Sequence, residues 1–212
     1  YAGSDKLYVP VSSLHLISRY SSTHAETVML AKLGTDQWQR TKTKVITQAH
    51  DVAAELLAIY ARRATKVGLR LADPDEQYQA FSEAFPFEET PDQQRAIESI
   101  IKDLTSGKPM DRVICGDVGF GKTEVALRAA FLAVQSGKQV AVLVPTTLLA
   151  EQHFQTFCDR FSAFPIRIEV LSRFKNKSEQ AAIFEKMQKG AIDILIGTHS
   201  ILNANLHFDV LG

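Results

Sequence analysis

Cysteine, tryptophan and net charge are what this chain of 212 residues has least of: two cysteines, one tryptophan and a formal charge of zero. Cys115 and Cys158 are too few for a disulfide framework or a zinc site, so both are expected as reduced thiols, which fits a cytoplasmic protein. No apolar run approaches the ~20 residues of a membrane span and no signal segment is present, so no membrane partner is expected. Lysine plus arginine equal aspartate plus glutamate at 24 each, and whole-chain charge therefore neither points to a polyanionic partner nor excludes one. The chain also lacks an initial methionine and begins inside what reads as a β segment; the expectation is an excised piece of a longer protein.

Charge is unevenly spread even though it sums to nothing. From Gln37 to Arg70 seven basic residues stand against two acidic ones, whereas from Ala72 to Ser99 eight acidic residues stand against Arg95 alone. Such blocks are solvated faces, and here they also mark a candidate domain boundary.

The octet Gly116-Asp117-Val118-Gly119-Phe120-Gly121-Lys122-Thr123 matches G-x-x-x-x-G-K-[ST]. Its glycines let the backbone curl around an anion with several N–H groups pointing inward, and the helix behind adds its positive end. Lys122 is placed for the β- and γ-phosphates and the Thr123 hydroxyl for Mg²⁺. At average residue usage the octet arises by chance at ~4 in 100,000 positions. The bland alternative, a glycine-rich turn, is disfavoured by context: Arg112-Val113-Ile114-Cys115 reads as a strand ahead of the loop, and Glu124 to Gln135 as a helix behind it.

Upstream, Leu7, Val9 and Val11 alternate after Gly3-Ser4-Asp5 and predict a strand. Gly34-Thr35-Asp36 opens a long helix with Asp36 as N-cap; Trp38, Val45, Ala49, Val52, Leu56, Ile59, Tyr60 and Val67 form one stripe, and Gly68 ends it. About 32 residues would span roughly 50 Å. The helix is either an ordinary amphipathic core helix or a lever between domains with its basic face free for a partner or DNA. Asp73-Pro74-Asp75-Glu76 then reads as a second helix start, N-cap, proline and capping-box glutamate, with Tyr78, Phe81 and Phe85 on the apolar side and Pro86 as stop.

From Phe87 onward helices alternate with Val/Ile/Leu-rich runs: helix Pro91 to Leu104, the strand ending at Cys115, the loop helix, strand Gln139 to Val144, helix Leu148 to Phe161, strand Ile166 to Leu171, helix Ser178 to Lys189, strand Ile192 to Ile196. This predicts an α/β fold, a parallel sheet covered by helices on both faces, with ligands beyond the carboxyl ends of its strands. Thr90-Pro91-Asp92-Gln93 is a capping box. Standing close after Phe85 and Phe87 and ahead of the loop, it also suits adenine, a glutamine amide pairing with N6 and N7 while an aromatic ring such as Phe87 stacks. Pro145-Thr146-Thr147-Leu148-Leu149-Ala150 and Gly197-Thr198-His199 follow strands and offer hydroxyls and N–H groups for phosphate contacts along a nucleic acid; taken singly, either is a plain strand-to-helix turn. Arg173 adds a cation after the third strand, or is simply solvated.

In combination these elements resemble the Q motif and motifs I, Ia and Ib of superfamily 2 helicases and translocases, and within them the bacterial transcription-repair coupling factor family. The resemblance covers the whole chain. It implies a RecA-like P-loop lobe over 87–212, a helical connector over 21–86, and over 1–20 the end of a Tudor-like, RNA polymerase-interacting β domain. It implies an ATP-driven double-stranded DNA translocase that pushes stalled RNA polymerase forward and recruits nucleotide excision repair proteins. Carried over by residue, Gly116 to Thr123 bind ATP·Mg²⁺, Gln93 with Phe87 holds adenine, Lys122 and Thr123 are catalytic, and Thr146, Thr147, Arg173, Thr198 and His199 face DNA. Phe120 stands where the branch-migration helicases of the RecG type often carry serine. The family's motif II, an Asp-Glu pair after an apolar strand, does not occur in the chain, although Phe208-Asp209-Val210-Leu211-Gly212 would lead into it. The expected behaviour of the chain alone is therefore nucleotide binding at best, with negligible turnover. Two other readings stay open: a RecG-type helicase without a polymerase partner, and a non-hydrolysing module whose long helix relays strain.

Overall fold

The longest amphipathic stripe in the sequence forms a helix that buries nothing. In the computed structural model, which describes residues 6–17, 32, 34–202 and 206–212, the chain divides into two units, Tyr1–Arg63 and Ala64–Gly212. Helix α1 (Gln37–Ala64) supplies most of the described part of the first. Its 28 residues extend about 42 Å. It opens with Arg40 N–H donating to Asp36 O at 2.9 Å, as the N-cap reading requires. No residue of α1 is buried, and Trp38 is 66% exposed. The strand expected over Leu7 to Val11 is not formed. Residues 6–10 are irregular and Val11–Leu16 make a 3₁₀ helix, closed by Ser13 N–H to Pro10 O at 2.9 Å. Alternation alone cannot hold a strand; its N–H and C=O groups need a neighbour, and no described segment runs beside this one. The upstream polar stretch from Ser21 to Glu26 lies outside the described residues.

The second unit is the α/β body. After α2 (Glu76–Glu83), α3 (Pro91–Leu104) and α4 (Lys122–Gln135) come β1 (Val140–Leu143), α5 (Thr147–Arg160), β2 (Ile168–Leu171), α6 (Lys177–Gln188) and β3 (Ile194–Gly197). The strands are parallel in the order β1-β3-β2, and their register sets Leu143, Gly197 and Leu171 side by side. The three turns that follow therefore share one edge of the sheet. Residue Leu211 adds an isolated parallel bridge to Gln139, ahead of β1. Buried Gln139 fixes that bridge: its Oε1 accepts from Asp209 N–H at 2.7 Å, and its Nε2 donates to Ile192 O at 2.9 Å.

Period two assigns the faces. Ile194 and Ile196 of β3 join α2, α4 and α5 in the main core around Phe81, Phe131, Phe157 and Phe161, whereas Leu195 joins Ile183 and Met187 of α6 on the other side. Phe81 stacks on Phe131 at 4.3 Å and on Phe161 at 5.1 Å. Helices thus flank both faces, but coverage is incomplete at β1, where Ala141 and Leu143 stay exposed. Asp193 ties the starts of β2 and β3 by accepting from the Arg167 guanidinium at 2.6 and 3.0 Å and from its N–H at 2.7 Å.

Two local expectations are corrected. The second helix is capped by Asp75 and not Asp73, because the Asp75 carboxylate reaches Gln77 N–H at 2.9 Å and Tyr78 N–H at 3.0 Å, leaving Pro74 ahead of the cap. The strand expected over Arg112 to Cys115 is absent: these residues are irregular, with Val113 83% exposed. Only Ile114 is partly covered, against Ile97, Ile100 and Val125 between α3 and α4. Among the described residues none pairs with this segment, so its apolar composition has no ladder to join. Both cysteines are free, and burial raises the pKa of the Cys158 thiol. Among the described residues no helix is long and apolar enough to cross a membrane.

Candidate functional site

Glycine is required where the loop turns into α4. Gly119 and Gly121 have φ of 85° and 69°, left-handed values that other residues adopt at a cost, and Gly121 is the N-cap of α4. A Cβ on Gly121 would also run into Gln93 Nε2. The N–H groups of Gly119, Gly121, Lys122 and Thr123 have no acceptor among the described residues, whereas Glu124 N–H already returns to Gly121 O at 3.0 Å. Four free donors at a helix N-terminus form an anion cradle, and the residues present fit a phosphate. Lys122 Nζ is folded into the loop, donating to Gly116 O at 2.6 Å and Asp117 O at 2.5 Å. The crest is open, with Val118 97% exposed. No cluster of three or more His, Cys, Asp or Glu that could hold a metal occurs among the described residues. A cation here would draw on Thr123, phosphate oxygens and water.

A cavity of about 910 Å³ opens beside the loop, lined among others by Phe85, Phe87, Gln93, Phe120, Thr123 and Arg160. The structure thus brings Phe87 and Gln93 to the loop from well upstream in sequence. Phe87 is exposed and meets Phe85 edge to face at 5.5 Å. Gln93 closes the capping box, its Oε1 accepting from Thr90 N–H at 2.8 Å and its own N–H donating to Thr90 Oγ1 at 3.3 Å. Its Nε2 donates to Phe120 O at 3.2 Å, so both ends of the amide are engaged and one holds the loop.

The second set of residues lies at the carboxyl edge of the sheet. Thr146 follows β1 as N-cap of α5, its Oγ1 accepting from Leu149 N–H at 3.2 Å, and Thr147 begins that helix. Arg173 follows β2, exposed, with its guanidinium 5.8 Å from the Phe174 ring. Thr198 and His199 follow β3; His199 is exposed, but Thr198 is buried and its Oγ1 is 3.4 Å from Ser200 Oγ. Gly197 is needed there because a Cβ would stand 2.6 Å from Leu171 O.

Sequence reasoning missed a buried charge network under the loop. Glu124, directly after Thr123, accepts from Arg128 Nε at 2.6 Å and from Arg160 Nη2 at 2.9 Å and Nε at 3.2 Å. Arg128 also reaches Glu89 and Ser82, and Arg160 reaches Phe81 O at 2.6 Å while lying 4.0 Å over the Phe81 ring. Burial pushes the Arg128 guanidinium down, but Glu124 and Glu89 outweigh it and hold its pKa above the usual value. The network joins α2, α4 and α5. Its one local signal was Glu124 and Arg128 at i and i+4 on an otherwise apolar helix; nothing near Arg160 announced its partners.

A phosphate-binding loop opening a helix, on a parallel α/β sheet with further motifs at its carboxyl edge, defines a P-loop domain of the RecA-like kind. Residues 90–210 match the DEAD/DEAH box helicase family, and the chain belongs to it. Over its full length the chain is 57% identical to the transcription-repair-coupling factor of Escherichia coli K12 and 46% identical to that of Bacillus subtilis 168, and it spans 18% of the length of each. The likeness to coupling factors read from the motifs is thereby borne out. Among solved structures, that of RecG bound to a three-way DNA junction matches 73% of this chain and 21% of that one, with a TM-score of 0.69 at 36% identity.

Proposed function

We propose that the chain is part of an ATP-dependent double-stranded DNA translocase of transcription-coupled repair, supplying the ATP·Mg²⁺ loop and part of the DNA track. The observation that carries this is the set of four unpaired N–H groups at the start of α4, in a helicase-family fold. The loop donors bind the β-phosphate, Lys122 exchanges its carbonyls for phosphate oxygens, and the Thr123 hydroxyl joins the Mg²⁺ shell. Gln93 gives up Phe120 O to reach adenine N6 and N7, with Phe87 against the base. Thr146, Thr147, Arg173 and His199 meet DNA phosphates at the strand ends, with Thr198 acting from beneath through its hydroxyl. When bound, ATP·Mg²⁺ supplies the phosphoryl chemistry that powers movement.

Residues 87–212 are the first motor lobe, 21–86 its helical connector and 1–20 the end of an RNA polymerase-interacting domain. RNA polymerase and nucleotide excision repair proteins are partners of the whole protein, which acts in the cytoplasm. A RecG-type helicase is the weaker reading: likeness to RecG stands at 36% over 73% of the chain, against 57% over all of it for a coupling factor.

The test is titration of a fluorescent ATP analogue against the 212-residue chain and its Lys122→Ala variant. Binding should weaken by about tenfold or more, the loss of a charge-assisted contact; equal affinities would remove the nucleotide site. The chain lacks the Asp-Glu carboxylates of motif II, so ATP turnover should be negligible with or without DNA. DNA-stimulated hydrolysis by the purified chain would sink that part of the reading.

A further inference from the structure

The cavity beside the loop has one cationic group that is locked in place yet not fully used. Arg160, the last residue of α5, lines this cavity although its side chain is only 11% exposed. Its Nε and Nη2 are taken by Glu124 and by Phe81 O, and its guanidinium lies 4.0 Å over Phe81 and 5.8 Å from Phe85. Nη1 has no acceptor among the described residues. A guanidinium is a rigid planar fork. Two bonds to a buried carboxylate and a seat on an aromatic ring therefore fix where the two remaining N–H groups stand. On the same wall, the Gln93 amide rests on Thr90 and Phe120, and both oxygens of Glu124 are taken.

We infer that Arg160 contacts the base of the nucleotide, donating from Nη1 to a ring nitrogen of a purine whose phosphates sit in the loop. The inference rests on the reading of Gly116 to Thr123 as a triphosphate site. Phosphates anchored at the start of α4 leave the nucleoside to extend into the rest of the cavity, where Phe85 and Arg160 stand. Arginine carries donors and no acceptor, so its partner is N1 or N3 of the purine, the ring acceptors left free when Gln93 takes N6 and N7. Glu124 is the positioning residue: it holds Arg160 and directly follows Thr123, so the base contact and the phosphate contact are set by one helix turn.

The experiment compares ATP with inorganic tripolyphosphate as ligands of the wild-type chain, Arg160→Lys and Lys122→Ala. Arg160→Lys keeps a cation for Glu124 but loses the fork. It should bind ATP about tenfold more weakly while tripolyphosphate affinity stays within about twofold, the loss of one charge-assisted hydrogen bond. Lys122→Ala should weaken both ligands. Equal losses of ATP and tripolyphosphate in Arg160→Lys would reduce Arg160 to a support of the loop and overturn the inference, leaving the triphosphate reading intact. Unchanged ATP binding would overturn it as well, and failure of the wild type to bind either ligand would remove both readings. Should Arg160→Lys fail to fold, the wild type decides: 1-deaza-ATP or 3-deaza-ATP should bind about tenfold more weakly than ATP, and full affinity for both overturns the inference.

Discussion

Helices α1 and α4 both read clearly from the sequence, yet they hold their shape for different reasons. α1 has 28 residues and buries none of them, whereas α4 has 14 and buries eight, including the charged Glu124 and Arg128. For α1 the helix is local: alanines, long unbranched side chains and i,i+4 backbone bonds over many turns, long enough to offset nucleation. For α4 it is tertiary, because Leu127, Phe131 and Leu132 pack into the main core and Val125 against α3. An apolar stripe therefore announces a helix without announcing what covers it.

Substitutions can break this contrast at several strengths. The largest effect is expected under the loop: Glu124→Ala strands Arg128 and Arg160 in the interior and should cost about 3–5 kcal/mol, read from urea unfolding followed by circular dichroism. A cost below about 1 kcal/mol would mean that water reaches the network and that the burial argument fails. Next comes the clamp between the starts of β2 and β3. Burial pushes the Asp193 carboxyl up, but the hydrogen bonds from Arg167 outweigh it and hold its pKa below the usual carboxylate value. A depressed acid contributes stability above its unfolded pKa and loses it as pH falls through the folded one. Asp193→Asn should therefore cost about 1 kcal/mol at neutral pH, discounted for exposure, and the gap to wild type should close below about pH 4. A gap that persisted at lower pH would show that the carboxylate charge is not what matters. Smallest of all, Leu56→Ala on α1 should shift stability by less than about 0.5 kcal/mol. A larger loss in a melting experiment would reveal that the stripe is covered in solution.

Sequence and structure agree where the signal is local. The capping box of Thr90 and Gln93 and the glycines of the phosphate loop are decided within a few residues, so spacing alone finds them. They disagree where a partner is needed. Leu7 to Val11 and Arg112 to Cys115 have strand composition and no neighbouring strand among the described residues, so neither joins a ladder. Asp73 and Asp75 flank one proline and look alike as caps; only the path of the chain put the Asp75 carboxylate beneath the N–H groups of Gln77 and Tyr78.

By itself the sequence determined the chemistry of the loop, the alternation of helices and strands from α4 to β3, and the family to which they belong, because each depends on residue type at short spacing. Only the tertiary structure decided that Gln93 grips Phe120 across 27 positions, and that Arg160 meets Glu124 from 36 residues away. It also aligned three strand ends along one edge. Those contacts arise from packing between elements distant in the chain, and no local pattern encodes them.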